Sequence, residues 1–205
     1  MISVAMGRPD ALPARAAPRA DEIDAATLAR CKLQDPAAFR AFVARYERPV
    51  FALLSRLLGR GPHVEDLAQE TFLRAFRALP RFDVEREARP STWLLTIATR
   101  LALDAKRSRS FDVQSVDTAP EVAAAGDPET EHGRRELGRA IARAADELSD
   151  DQRAVFVLSE FHGLSHAEIA GAVGVPEATV KTRLFRAREH MRARLRERED
   201  GPHEG

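Results

Sequence analysis

Between Gly163 and Leu195 the chain reads GLSHAEIAGAVGVPEATVKTRLFRAREHMRARL, and this stretch constrains the fold more than any other. Ser165 followed three residues later by Glu168 is a capping-box signature, and Ile169, Ala170 and Val173 then give a short helix one apolar face. Gly174 ends that helix, and Pro176 suits the first position of the next, where its missing N–H would be unpaired in any case. Helix, glycine turn and helix make a helix-turn-helix.

The second helix is read face by face. Val180, Leu184, Ala187, Met191 and Leu195 recur at steps of three and four and predict the buried stripe. Thr182, Phe185, Arg186 and Glu189 fall opposite it, with Lys181, Arg183 and Arg188 at the flanks. From Pro176 to Arg198 there are eight Lys or Arg against three Glu, on a chain whose 32 basic and 32 acidic residues otherwise cancel. A cationic helix with a large aromatic facing outward suits a DNA major groove: Arg can pair with guanine, Phe185 can touch a thymine methyl, and the flanking cations can meet phosphates. A solvated basic helix, or one that binds protein, is the alternative.

The rest of the 205 residues sets the class. Sustained alternation is absent while Ala, Leu, Arg and Glu dominate, which predicts an all-α chain of two small helical domains. No run approaches the ~20 apolar residues of a membrane span, and the N-terminus lacks a signal-peptide core, so a cytoplasmic protein without membrane insertion is expected. Cys31 is the only cysteine, which leaves no internal disulfide and no cysteine-based zinc site. Neither cofactor nor metal is expected.

Residues 1–20 are rich in Ala, Pro and Arg and read as a disordered lead-in. Helical spacing runs from Asp21 to Arg107. Asp24 is a candidate cap, Asp35-Pro36 a restart, and Pro49 an expected kink or break. In HVEDLAQETFLRAFRALPRF, Val64, Leu67, Phe72, Ala75, Phe76 and Leu79 make the inner side, while Asp66, Gln69, Glu70, Arg74 and Arg77 stay outside. Ser91 is the expected cap of STWLLTIATRLALDAKRSR, whose core stripe is Leu94, Ile97, Ala98, Leu101 and Ala105. Trp93, Thr96, Arg100, Asp104 and Arg107 share its opposite edge, where tryptophan beside arginines offers a platform for an unpaired base; packing of Trp93 into the domain is the competing expectation. Residues 111–133 hold six carboxylates and no Lys or Arg, the composition of a flexible acidic linker. A helix over Arg134 to Leu148 and a second capping box, Ser149 with Gln152, then complete a four-helix domain over 134–198, leaving a short disordered tail at 199–205.

Three motifs taken together carry a resemblance: EDLAQETFLRAFRAL at Glu65 to Leu79, TWLLTIATRLALDAKR at Thr92 to Arg107, and GLSHAEIAGAVGVPEATVKTRLFRAR at Gly163 to Arg188. In this order the chain resembles bacterial RNA polymerase sigma factors of the extracytoplasmic-function (ECF) class. The resemblance implies that residues 21–110 are sigma region 2 and 134–198 sigma region 4, and that the partners are core RNA polymerase, promoter DNA and an anti-sigma factor. Asp66, Gln69, Glu70 and Arg74 match the surface that holds the clamp helices of the polymerase. Arg81, Phe82, Trp93, Thr96, Arg100, Asp104 and Arg107 match the part that melts and captures the −10 element. Thr179, Lys181, Thr182, Arg183, Phe185, Arg186 and Arg188 match the reader of the duplex −35 element. The acidic linker resembles the segment that threads the nucleic-acid channel. Arg100 stands where many members carry Asn, and Pro90 where an aromatic or Arg is common, which bears on the −10 preference.

Two rivals differ in kind. A response-regulator-type factor would bind duplex DNA as a dimer with a similar recognition helix, but its receiver domain of alternating strands and helices is missing here. A metal hydrolase would use His162 and His166 with Glu168 nearby, but Gly163 and the Leu164-Ser165 cap place those histidines on different elements, with no third ligand evident.

Overall fold

A computed structural model describes residues 22–83, 88–108 and 128–199 of the chain. The expected lead-in, the linker up to residue 127 and the tail beyond residue 199 lie outside the described residues. Among the described residues the regular structure is helical throughout, in agreement with the all-α class.

Helix α1 (Ala25–Lys32) starts at Asp24, whose carboxylate accepts from the Thr27 backbone N–H at 2.8 Å. Asp35 does the same for α2 (Pro36–Leu58), accepting from Ala37 and Ala38. Of the kink or break expected at Pro49, the break does not occur: α2 runs on through the proline. One lost backbone bond is outweighed because Phe42, Tyr46, Val50, Leu53, Leu54 and Leu57, on both sides of the proline, are all buried on one helical stripe. Helix α3 (Pro62–Ala78) passes into a 3₁₀ turn at Leu79–Arg81, and α4 (Pro90–Arg107) closes the first bundle by packing on α2 and α3.

Ser91 does not cap α4, because the helix already begins at Pro90 and Arg89 makes no side-chain cap. Glu22 takes the capping role from a distance. Its carboxylate accepts the Ser91 hydroxyl and the Ser91 backbone N–H at 3.2 Å, and also the Tyr46 hydroxyl at 2.9 Å. A carboxylate is favoured there because the first N–H groups of a helix are unpaired and carry positive partial charge.

The second bundle is α5 (Pro128–Asp146), α6 (Asp150–Glu160), α7 (His166–Val173) and α8 (Glu177–Glu199). Helix α5 begins six residues ahead of the expected Arg134, since Pro128 followed by two glutamates is itself a good helix start. Both capping boxes form, Ser149 with Gln152 and Ser165 with Glu168. Gly174 takes the left-handed conformation, φ 71° and ψ 36°, that glycine adopts without steric cost. Pro176 lies one residue ahead of α8, its carbonyl accepting from Thr179 and Val180. Helices α5, α6 and α7 all pack on α8.

The two bundles touch. Helix α4 packs on α7 and α2 on α6, and the buried side chains of both halves run together into one core.

Candidate nucleic-acid interface

Helix α8 is held by its predicted stripe. Val180, Leu184, Ala187 and Met191 are buried and Leu195 is half-buried. Opposite them, Thr182, Phe185 and Arg186 are exposed, and Phe185 leaves 64 % of its surface in solvent. Beside Phe185, Arg186 has no ion-pair partner among the described residues. Thr179 sits half-buried at the start of the helix, and Thr182 returns a hydrogen bond to the Ala178 carbonyl at 3.1 Å.

The flanking cations divide into two kinds. Lys181 is exposed, and its partner among the described residues is Glu177 of the same helix at 3.2 Å. Arg183 reaches Asp151 of α6 at 2.6 Å, and Arg188 grips Glu160 of α6 through Nε at 3.0 Å and Nη2 at 2.6 Å. These two arginines, expected at phosphates, also brace α8 against α6, because the charges on α6 lie within reach once the helices pack. Their loss should cost stability before it costs salt-dependent binding: Arg188→Ala should lower the unfolding free energy by about 1 kcal/mol, the order for a half-exposed, well-aligned pair. Urea titration checks this, with an unchanged midpoint opposing the bracing role.

On α4 the expected edge exists. Arg100, Asp104 and Arg107 are exposed, and Trp93 and Thr96 are half-buried between two buried stripes. Periodicity gives one stripe and the structure two: Leu95, Thr99, Ala102 and Leu103 are buried beside Thr92, in addition to the predicted Leu94, Ala98 and Leu101. Trp93 lies 4.7 Å from the Phe82 ring at 42°, and Phe82 itself is only 2 % exposed. Phe82 therefore supports Trp93 from below rather than lining the surface, since the turn after α3 tucks it into the core. Arg81, next to it, is exposed.

On α3, Asp66, Gln69 and Arg74 are exposed, and Glu70 is joined to Arg74 at 2.6 Å across one helical turn. Leu73, with 51 % of its surface exposed, lies in the middle of this face. The residues were there to be read, but a single leucine among polar neighbours gives no periodic signal.

The bundles meet through side chains that periodicity could not pair. Thr92 donates to Glu168 at 3.1 Å, Arg100 to the Gly171 carbonyl at 2.8 Å, and Lys106 to Asp150. The Arg56 guanidinium lies over the Phe161 ring at 4.3 Å. Beside it His162 is enclosed, its Nε2 without a hydrogen-bond partner, and burial with the Arg56 charge holds its pKa down to about 4. Neutral His162 is thus the form that packs. Its folded pKa is depressed, so the unfolded chain takes up the proton first and stability falls as pH drops from 6.5 towards 4. Between pH 7 and pH 5 this group alone should remove about 2 kcal/mol. Urea titrations of wild type and His162→Leu at the two pH values test this. The variant should lose less by about that amount, and parallel losses would contradict the buried neutral imidazole.

Comparison with known proteins follows the same division of the chain. Residues 42–111 match the model for Sigma-70 region 2, and residues 138–191 match that for Sigma-70, region 4. The ECF RNA polymerase sigma factor SigW of Bacillus subtilis is 35 % identical over 176 residues, covering 81 % of this chain and 93 % of SigW. The ECF RNA polymerase sigma-E factor of Escherichia coli K12 is 33 % identical, with 81 % and 91 % covered. Among solved structures, CnrH in complex with the cytosolic domain of CnrY aligns at a TM-score of 0.58 and 25 % identity, over 83 % of this chain and 95 % of that one. RpoE in complex with the anti-sigma factor NepR from Bartonella quintana aligns at 0.62 and 23 %, over 77 % and 96 %, a likeness of fold. A helical two-bundle chain with a helix-turn-helix in the second bundle, matched in both halves, is a promoter-recognition factor rather than a dimeric regulator. The chain belongs to the sigma-70 family, in its extracytoplasmic-function class, and acts as a transcription initiation factor of RNA polymerase. No helix among the described residues is long and apolar enough to cross a membrane.

Proposed function

We propose a division of labour among the residues. Thr179, Thr182, Phe185 and Arg186 of α8 read base edges of the duplex −35 element, and Lys181 meets phosphate. Trp93, Thr96, Arg100, Asp104 and Arg107, with Arg81 beside them, hold the melted −10 strand, while Phe82 supports Trp93. Asp66, Gln69, Glu70 and Arg74, around exposed Leu73, dock on the clamp helices of core polymerase. Residues 21–110 and 134–198 work as regions 2 and 4, and the acidic segment between them, ahead of α5, threads the nucleic-acid channel of polymerase. The factor works in the cytoplasm, carries no catalytic residues of its own and is bound by an anti-sigma factor; among the similar structures, CnrH is in complex with the cytosolic domain of CnrY.

What carries this reading is the outward face of α8, where an aromatic 64 % exposed stands beside an arginine with no ion-pair partner among the described residues, on a helix fixed from behind. Solvation alone gives no reason for such a pairing. The −10 assignment is tested with Trp93→Ala on two promoter templates, one fully duplex and one already unpaired across the −10 element. Stacking on an aromatic is worth ~1 to 3 kcal/mol per base, so open-complex formation on the duplex should fall about tenfold, with a smaller loss on the unpaired template. Equal losses on both would make Trp93 a packing residue.

A further inference from the structure

A cavity of about 650 Å³ is bordered by α2, the start of α4 and the end of α6 with the turn that follows it. Sites for small molecules have this size, and combine a mostly apolar lining with a few converging polar groups. Here Pro49, Val50, Leu94, Leu95 and Leu164 are apolar, and Arg48, Arg56 and Arg89 line the same space. None of the three arginines has an ion-pair partner among the described residues. Arg48 and Arg89 are exposed, so water screens them, but Arg56 is half-buried. Its Nη1 donates to the Ala52 carbonyl at 3.0 Å, and its guanidinium lies over the Phe161 ring at 4.3 Å. Both partners are neutral and offset the lost hydration only in part, so burial pulls the Arg56 pKa below its ordinary value. His162 lines the cavity as well, its buried Nε2 without a hydrogen-bond partner among the described residues. The carboxylates that reach the lining are engaged by hydroxyls: Glu22 accepts from Tyr46 and Ser91, and Glu168 from Thr92.

We propose that this cavity binds a small organic phosphate, its anionic group on Arg56 and His162 and its apolar body along Val50, Leu94, Leu95 and Leu164. A half-buried guanidinium without a carboxylate is costly to hold, and an anion at its N–H fork removes that cost with charge-assisted hydrogen bonds. In the tautomer with its proton on Nε2, neutral His162 adds one more donor without adding charge. Arg56 is already stripped of much of its water and held in place by Phe161 and Ala52, so little reorganisation is needed on binding. Arg48 lies eight residues earlier on α2, about 12 Å along the helix, which is farther than one phosphate group can bridge. Arg48 and Arg89 therefore draw the anion in through their field rather than by contact. The space between is apolar, which is why the ligand is an organic phosphate and not the bare ion. The site uses none of the residues assigned to promoter or polymerase, so it stands apart from those assignments.

The probe is benzyl phosphate, titrated calorimetrically into the full chain at pH 7, with inorganic phosphate and benzyl alcohol as its two halves. Benzyl phosphate should bind at least tenfold more tightly than either half. Attraction to basic surface alone would make it equal to inorganic phosphate, and a merely greasy groove would make it equal to benzyl alcohol; both results overturn the site. Arg56→Met keeps the length and the apolar stem, and should weaken benzyl phosphate at least tenfold. Arg40→Met, at an exposed position of α2 outside the cavity, should leave its binding unchanged. Urea titration shows whether each variant is folded. A second readout needs no change at Arg56: the His162 ring nitrogen resonance, identified by its loss in His162→Gln, should shift as wild type is saturated with benzyl phosphate. If Arg56→Met does not fold, that resonance decides. Wild-type affinity in folded Arg56→Met, equal weakening by Arg40→Met, or an unmoved His162 resonance at saturation would each overturn the proposal.

Discussion

Exchanging the charges of Glu70 and Arg74 should abolish tight binding to core polymerase while leaving the fold unchanged. The two residues face each other across one turn of α3 at 2.6 Å, and the double variant Glu70→Arg with Arg74→Glu keeps an ion pair at the same spacing. Only the polarity presented to a partner is reversed. Pairs of this kind on a helix surface are worth only about 0.3 to 0.5 kcal/mol, so helicity and melting temperature should barely move. At an interface the same groups would be desolvated against fixed partner charges, where a mismatch costs several kcal/mol, so affinity should drop at least a hundredfold. Leu73→Ser in the centre of the face should cost a further tenfold or more, as apolar anchors ringed by polar groups do. Unchanged affinity in the exchanged double variant, measured by fluorescence anisotropy against core polymerase, would show that the face is solvated surface.

The second large effect is expected on α8, and it has two forms. Arg186 is exposed and has no ion-pair partner among the described residues, so Arg186→Ala should remove a base contact and cost ~1 to 3 kcal/mol at one base pair with little change elsewhere. Lys181→Ala should weaken every −35 sequence alike and lower the salt slope by about one. The geometry adds a third behaviour: Arg183 and Arg188, tied to Asp151 and Glu160, should change the salt slope less than Lys181 does. Glu189 faces outward and is paired with Arg192 at 2.5 Å, so it should affect selectivity more than affinity. Binding of the full chain with core polymerase to a randomised −35 duplex across a salt series separates these outcomes. Identical profiles for Arg186→Ala and Lys181→Ala would refute the face-by-face assignment.

What was legible in the sequence followed from local rules. Asp24, Asp35, Ser149 and Ser165 act on residues two or three positions away, and the α8 stripe repeats at fixed spacing, so each could be read from a short window. The misses share a different cause. Pro49 reads as a breaker by its own chemistry, and only the stripe buried on both sides of it keeps α2 whole. Ser91 reads as a cap until Glu22, 69 residues away, is brought to the helix start. The partners of Arg183 and Arg188 lie on α6 and come within reach only once it packs beside α8, and Phe82 is drawn into the core under Trp93 by the turn after α3. The partners of Thr92, Arg100 and Lys106 lie 44 to 76 positions along the chain, where periodicity carries no information.

The central claim is that one chain reads two separated promoter blocks, one as duplex through α8 and one as melted strand through α4. Run-off transcription by core polymerase and this protein from a promoter library randomised across both blocks tests it directly. Transcripts should depend on the added chain and be enriched for two distinct blocks at a fixed separation. Arg186→Ala should change only the upstream block, and Trp93→Ala should act only through the downstream one. A single block, an inverted repeat, or variants that alter both blocks together would contradict the account.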